Sequence, residues 1–130
     1  MSKKEYNIED LFKALADRTR LRLINLIGDS EVCVCFFVTI LKTSQPKISR
    51  HLAYLRRAGI AASRREGKWM HYRLTAPPDE HAARIFREVR ASLAEHPEMQ
   101  HDREKLLKVC CAAQMPVQLR RAPRPMGLAA

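Results

Sequence analysis

The apolar positions of the chain fall into short stripes of helical period, interrupted once by a stretch of aromatic and β-branched residues. Ile8, Leu11, Phe12 and Leu15 form the first stripe, spaced so that they share one face of an α-helix. Asn7-Ile8-Glu9-Asp10 supplies its start, with acidic residues in the first turn. Asp17 is placed to cap a second helix that runs through Leu21, Leu23, Ile24 and Ile27, and Gly28 suits its stop. Ser30-Glu31 opens a third, short helix holding Val32 to Leu41. Lys42-Thr43-Ser44 reads as a turn, with Ser44 as the cap of a fourth helix and Pro46 tolerated in its first turn. That helix carries Ile48, Leu52 and Leu55 inward and ends at Gly59.

The period then changes. Ile60 to Ser63 and Trp69 to Leu74 flank the polar stretch Arg64-Arg65-Glu66-Gly67-Lys68, which predicts a β-hairpin closed by Pro77-Pro78. Asp79 is placed to cap a long amphipathic helix with Ile85, Phe86, Val89 and Leu93 on one side. His96-Pro97 interrupts it, because proline disfavours helix in the residue before it. A last helical segment is expected from about Glu98 to Ala113. The tail from Pro116 holds three of the seven prolines together with Arg120, Arg121 and Arg124, and is expected to be disordered. The predicted organisation is a mainly α domain with a small hairpin over residues 1–96, a helical extension over 97–115 and a basic, proline-rich tail over 116–130. No internal repeat is visible.

Charge sharpens this picture. The net charge is +10, and its placement matters more than its size. Residues 1–41 are neutral, whereas residues 42–74 hold nine basic side chains against Glu66 alone, a net of +8. A patch so concentrated is the electrostatic footprint of a polyanion, and nucleic acid is the usual one. Two short helices joined by a three-residue turn and followed by a basic hairpin make a winged helix-turn-helix, whose second helix enters the DNA major groove. With Ile48, Leu52 and Leu55 turned inward, Gln45, Lys47, Ser49, Arg50 and Tyr54 face outward. Gln45 and Ser49 suit base edges, and Lys47 and Arg50 suit phosphates or guanine. On the hairpin, Arg64, Arg65 and Lys68 are expected against the flanking backbone or minor groove.

The four cysteines are Cys33, Cys35, Cys110 and Cys111. So tight a pairing is a poor disulfide framework, and Met1-Ser2-Lys3-Lys4-Glu5 lacks the apolar core of a secretory signal. Reduced thiols in the cytoplasm are therefore expected, and no apolar run approaches the roughly 20 residues of a membrane span. Thiolates are soft ligands and favour thiophilic ions. No histidine adjoins Cys110-Cys111 and no phosphate loop or triad spacing is visible, so an enzyme is not expected.

Three segments resemble one family. Leu15-Ala16-Asp17-Arg18-Thr19-Arg20-Leu21-Arg22, Ser44 to Gly59, and Gly67-Lys68-Trp69-Met70-His71-Tyr72-Arg73-Leu74 look like the early helix, recognition helix and wing of the ArsR/SmtB family of metal-responsive repressors, in one register over roughly residues 8 to 96. The resemblance implies a homodimer formed through its first and last helices, repression at a palindromic double-stranded operator, and polar contacts near DNA for His51 and His71. Glu31-Val32-Cys33-Val34-Cys35 is similar to the family's arsenic-binding sequence, which implies trivalent arsenic or antimony as inducer and no organic cofactor. Val38 and Phe36 stand where that pattern has a third cysteine and an acidic residue. The third thiolate is then left to Cys110 or Cys111, on this chain or its partner. Alternatively only two thiolates serve, which suits a monomethylated arsenical, or Cys110-Cys111 forms a separate site.

Residues two apart on an α-helix do not face one another, so Cys33 and Cys35 are expected to share an ion only if the first turn of the third helix unwinds. Asp79 and His81 begin the pattern that some relatives use for interfacial zinc, but Ser92 stands at the distal histidine position, and His96 and His101 are out of register. A thiol redox switch at Cys33, resolved by Cys35 or Cys110, is the alternative to metalloid sensing.

Overall fold

The computed structural model describes residues 5–111 and 122–125. Helix α1 (Ile8–Leu15) is capped by the Asn7 side chain, which accepts from the Glu9 amide, and α2 (Arg18–Ile27) by Asp17, which accepts from the Arg20 amide. Gly28 ends α2 at φ +52°, a conformation that L side chains rarely adopt. A short strand β1 (Val32–Cys33) leads directly into α3 (Val34–Leu41), and α4 (Gln45–Arg57) follows after the turn. The hairpin is β2 (Ala61–Glu66) and β3 (Trp69–Leu74), turning at Gly67 with φ +59°. Helix α5 (Glu80–Ala94), capped by Asp79 on the Ala82 amide, and α6 (Pro97–Cys111) are the last elements among the described residues.

Three local expectations need correction. Val32 and Cys33 are not helical: they pair antiparallel with Tyr72 and His71, so the hairpin becomes a three-stranded sheet of order β1-β3-β2. That pairing depends on a partner 38 residues away, which a local periodicity does not register. Ser44 occupies the N-cap of α4, but its hydroxyl makes no capping bond. Phe12 is 52% exposed, because the buried face of α1 runs through Leu11 and Ala14 instead.

The core lies among α2, α3, α4 and the sheet. Ile48, Leu52 and Leu55 of α4 have no exposed surface, and each fully buried aliphatic chain contributes about 1.5–3 kcal/mol. Phe36 and Phe37 are adjacent in sequence yet both fully buried. Adjacent helical positions point about 100° apart, so α3 must be covered on more than one side, and α4, α6 and the sheet supply that cover.

Helix α6 lies along α2 through a specific set of bonds. Met99, Asp102, Leu106 and Cys110 fall at spacings of three and four and are all buried. Asp102 receives Arg22 in a two-pronged pair, Nε to Oδ2 at 2.7 Å and Nη2 to Oδ1 at 3.0 Å. Asn25 donates to the Met99 carbonyl at 2.8 Å, and Arg103 donates to the Leu26 carbonyl at 3.2 Å, near the end of α2 where carbonyls lack helical partners. Residues 112–121 and 126–130 lie outside the described part, so the expectations for the end of the last helix and most of the tail are not addressed; Ala122 is 8% exposed. Among the described residues, no helix is long and apolar enough to cross a membrane.

Candidate DNA interface and thiol pair

Helix α4 presents an outer face opposite its buried stripe. Gln45, Lys47, Ser49, Arg50 and Tyr54 are all exposed on it, as the period of Ile48, Leu52 and Leu55 requires. His51 is only part-exposed and turns inward, where its Nδ1 lies 3.2 Å from Arg20 Nη1 and 3.7 Å from Asp17 Oδ1. Tyr54 has two cations over its ring, with the Arg20 guanidinium carbon 4.3 Å from the ring centre and that of Arg57 5.6 Å away.

On the wing, Arg65 and Lys68 are exposed, and the Lys68 ammonium lies 5.1 Å over the Trp69 ring. Arg64 is exposed but already engaged: Nε donates to Glu31 and Nη1 to Glu66, both at 3.0 Å. The Arg64 bond holds the Glu31 carboxyl below its ordinary range. His71 is not a surface contact, contrary to the expectation from the resemblance. It is 3% exposed in β3, its Nε2 has no hydrogen-bond partner among the described residues, and Glu66 lies 3.8 Å from it.

Cys33 and Cys35 meet at the junction of β1 and α3. Cys33 is the N-cap of α3 in extended backbone, φ −70° and ψ 141°, while Cys35 sits in the first helical turn. An extended residue followed by a helical one brings the two side chains together, and Cys35 Sγ donates to Cys33 Sγ at 2.9 Å. The expectation that the pair converges only when a helical turn unwinds is therefore overturned, because the helix begins one residue after Cys33. The hydrogen bond from the Cys35 thiol lowers the Cys33 pKa from 9.0 to about 7 against the opposing effect of burial. The amides of Cys35 and Val34 at the start of α3 assist, as does that of Met70 in β3. The same hydrogen bond, together with burial, pushes the Cys35 thiol up. The pair thus gives up its first proton readily and its second with difficulty.

Cys33 is the register partner of His71, which in turn faces Arg64 of β2. The thiol pair is therefore joined by backbone to the wing as well as to the helix that supports α4. Cys110 is buried in α6, where its thiol lies 3.5 Å from the Leu107 carbonyl; the side chain of Cys111 lies outside the described part. Among the described residues, no group of three or more His, Cys, Asp or Glu side chains is arranged to hold a metal ion. Cys33 and Cys35 thus converge as a two-thiol site. Sequence reasoning gave Arg20 and Glu31 no role of their own, although both lie in segments that carry the resemblance. Their contacts, with His51 and with Arg64, come from partners distant in the chain.

Helix, turn, exposed helix and basic hairpin in this order define a winged helix-turn-helix regulator of transcription. Residues 17–63 match the model of the bacterial regulatory proteins of the arsR family, and the chain belongs to that family. It is a DNA-binding regulator rather than an enzyme. It is 52% identical over 79 residues to the arsenical resistance operon repressor of Escherichia coli, a match covering 60% of this chain and 68% of that protein. To the arsenic resistance transcriptional regulator ArsR1 of Pseudomonas putida it is 57% identical over 65 residues, covering 49% of this chain and 51% of the relative. Among solved structures, it resembles the homodimeric winged helix-turn-helix DNA-binding domain of a possible ArsR-family regulator from Mycobacterium bovis. There the TM-score is 0.55 at 27% identity, over 75% of this chain and 94% of that one.

Proposed function

We propose that this chain is an arsenic-responsive repressor that binds a palindromic operator as a homodimer and leaves it when trivalent arsenic or antimony bridges Cys33 and Cys35. The observation that carries the reading is the 2.9 Å approach of the two sulfurs at the start of α3, in a chain whose relatives bear arsenical-resistance names. Arsenous acid, As(OH)3, reacts with the two thiols to give one As(SR)2(OH) group and two water molecules. A methylarsenous acid gives CH3As(SR)2 and two waters, and leaves no valence for a third thiolate. The site as assembled favours that second product, and arsenite or antimonite takes a third ligand from solvent, a small thiol, or Cys110 or Cys111. The protein acts in the reducing cytoplasm, where thiols are kept from forming disulfides.

Release follows from the connections of the site. An arsenic atom inserted between the sulfurs removes their hydrogen bond and spreads β1 from α3. The displacement reaches β3 through the Cys33–His71 pairing and α4 through the packing of α3. A shift of about one ångström misplaces contacts in both half-sites of a dimer. On α4, Gln45 and Ser49 read bases, Lys47 and Arg50 hold phosphates or guanine, and Arg65 and Lys68 of the wing hold flanking DNA. Arg64 joins them only when it leaves Glu31. The first and last helices of the winged core, α1 and α5, form the dimer.

The test is operator binding titrated separately with arsenite, methylarsenite, antimonite and zinc in the presence of a monothiol reductant. Release by the trivalent species and not by zinc is expected. Failure of every arsenical, with DNA binding intact, overturns the reading. The short sulfur–sulfur distance also suits a second reading, in which peroxide oxidises the two thiols to a disulfide with release of two waters. Reductant reverses that switch, whereas it leaves arsenical release in place.

A further inference from the structure

The early-helix segment Asp17 to Arg22 contains one side chain whose contacts reach three helices. Arg20 stands in the first turn of α2. Its Nη2 donates to the Lys13 carbonyl at 2.7 Å and its Nε to the Ala14 carbonyl at 3.0 Å. These carbonyls belong to the last turn of α1, where helical donors run short; that of Lys13 accepts besides only from the Ala16 cap amide, at 3.3 Å. Its Nη1 lies 3.2 Å from His51 Nδ1, which accepts when the ring is neutral with its proton on Nε2. The face of the guanidinium covers the Tyr54 ring at 4.3 Å. His51 and Tyr54 are three residues apart, so both lie on one side of α4. Asp17 closes the cluster by capping α2 on the Arg20 amide at 3.1 Å and approaching His51.

We infer that Arg20 is a positioning residue for operator recognition: one guanidinium fixes the roll and depth of α4 relative to α1 without itself touching DNA. Three of its five N–H donors go to two carbonyls and an imidazole, and its central carbon lies over an aromatic ring. Of the contacts a phosphate would need, the protein already uses most. The two α4 residues it holds flank the groove-facing side that carries Ser49 and Arg50, so loosening it tilts the whole reading face. Lysine cannot replace it, since a single ammonium does not span two carbonyls, a ring nitrogen and a π-face at once. The inference rests on the reading of α4 as the helix that enters the major groove.

The experiment compares wild type, Arg20→Lys and Arg20→Ala for binding to operator and to unrelated duplex DNA over a range of salt, with the folded fraction checked by circular dichroism. Arg20→Lys is the milder variant and guards against loss of fold in Arg20→Ala. The expected result is operator binding weakened by about tenfold or more, the loss that one misplaced base contact produces. Binding to unrelated DNA and the salt slope stay unchanged. A salt slope shallower by about one, with both kinds of binding weakened, would mean that Arg20 contacts a phosphate and overturns the inference. Equal loss of both in proportion to a lower folded fraction would make the role purely structural, and unchanged operator binding would remove it. If wild type shows no preference for operator, the reading of α4 fails first, and that outcome is distinct from the other three.

Discussion

Replacing Cys35 by alanine removes the largest influence on Cys33, and the consequence is quantitative. In the native pair the Cys35 thiol donates to Cys33 at 2.9 Å and lowers its pKa from 9.0 to about 7. At pH 7 such a thiol is about half ionised, against about one part in a hundred for an ordinary one. A thiolate of lower pKa is also less nucleophilic, by about tenfold for two units at a Brønsted slope of 0.4–0.5. The net gain in reactivity at pH 7 is thus about fivefold, the quotient of these two effects. Cys35→Ala, made with Cys110 and Cys111 replaced by serine, should raise the Cys33 midpoint by more than about one unit. It should also slow alkylation by iodoacetamide at pH 7 about fivefold. Ultraviolet thiolate absorbance followed against pH reads the midpoint directly. A midpoint still near 7 in the alanine variant would refute the hydrogen-bond explanation and assign the shift to the amides at the start of α3. The same pair dictates the pH profile of stability. A depressed Cys33 pKa adds stability above the unfolded thiol value of 9.0, and that stability is lost as pH falls through about 7. Cys35, whose pKa is raised, acts oppositely above 9.0. Stability attributable to the pair should therefore rise between pH 7 and 9 and fall beyond it.

Two further perturbations probe the frame around the site. Asp102 is 1% exposed and receives Arg22, itself a quarter exposed; Asp102→Ala should cost about 2–4 kcal/mol in denaturant unfolding, and a loss below about 1 kcal/mol would show that α6 is held chiefly by Met99 and Leu106. Phe12, 52% exposed on α1, is expected to be covered in the dimer, so Phe12→Glu should raise the dimer dissociation constant more than about tenfold in sedimentation equilibrium; an unchanged dimer would place the interface elsewhere.

Much of the frame was legible because it is written in local chemistry. Asp17 and Asp79 cap the helices they precede, Gly28 ends α2, and the spacing of Ile48, Leu52 and Leu55 fixes which side of α4 faces solvent. The outer face of α4 follows from that spacing alone. What could not be read locally depends on partners distant in sequence. Val32 and Cys33 leave the helix only because Tyr72 and His71 offer a strand edge, and that one-residue change converts two diverging thiols into a converging pair. Asp102 looks like any solvated helix position until Arg22 is placed beside it. Phe36 and Phe37, adjacent in sequence, both stay buried because α6 adds its cover to α3. The resemblance places His71 on the DNA side, yet its side chain is buried in β3, the middle strand of the sheet.

The central claim is that Cys33 and Cys35 receive the inducer, and the most direct measurement is operator release by methylarsenite and arsenite, compared between wild type and the Cys33→Ser, Cys35→Ser double variant. Both proteins should bind operator alike, since neither sulfur lies on the exposed face of α4. Wild type should be released by stoichiometric trivalent arsenical while the double variant stays bound. Release of the double variant at the same arsenical concentration would contradict the account and move the sensor to Cys110 and Cys111.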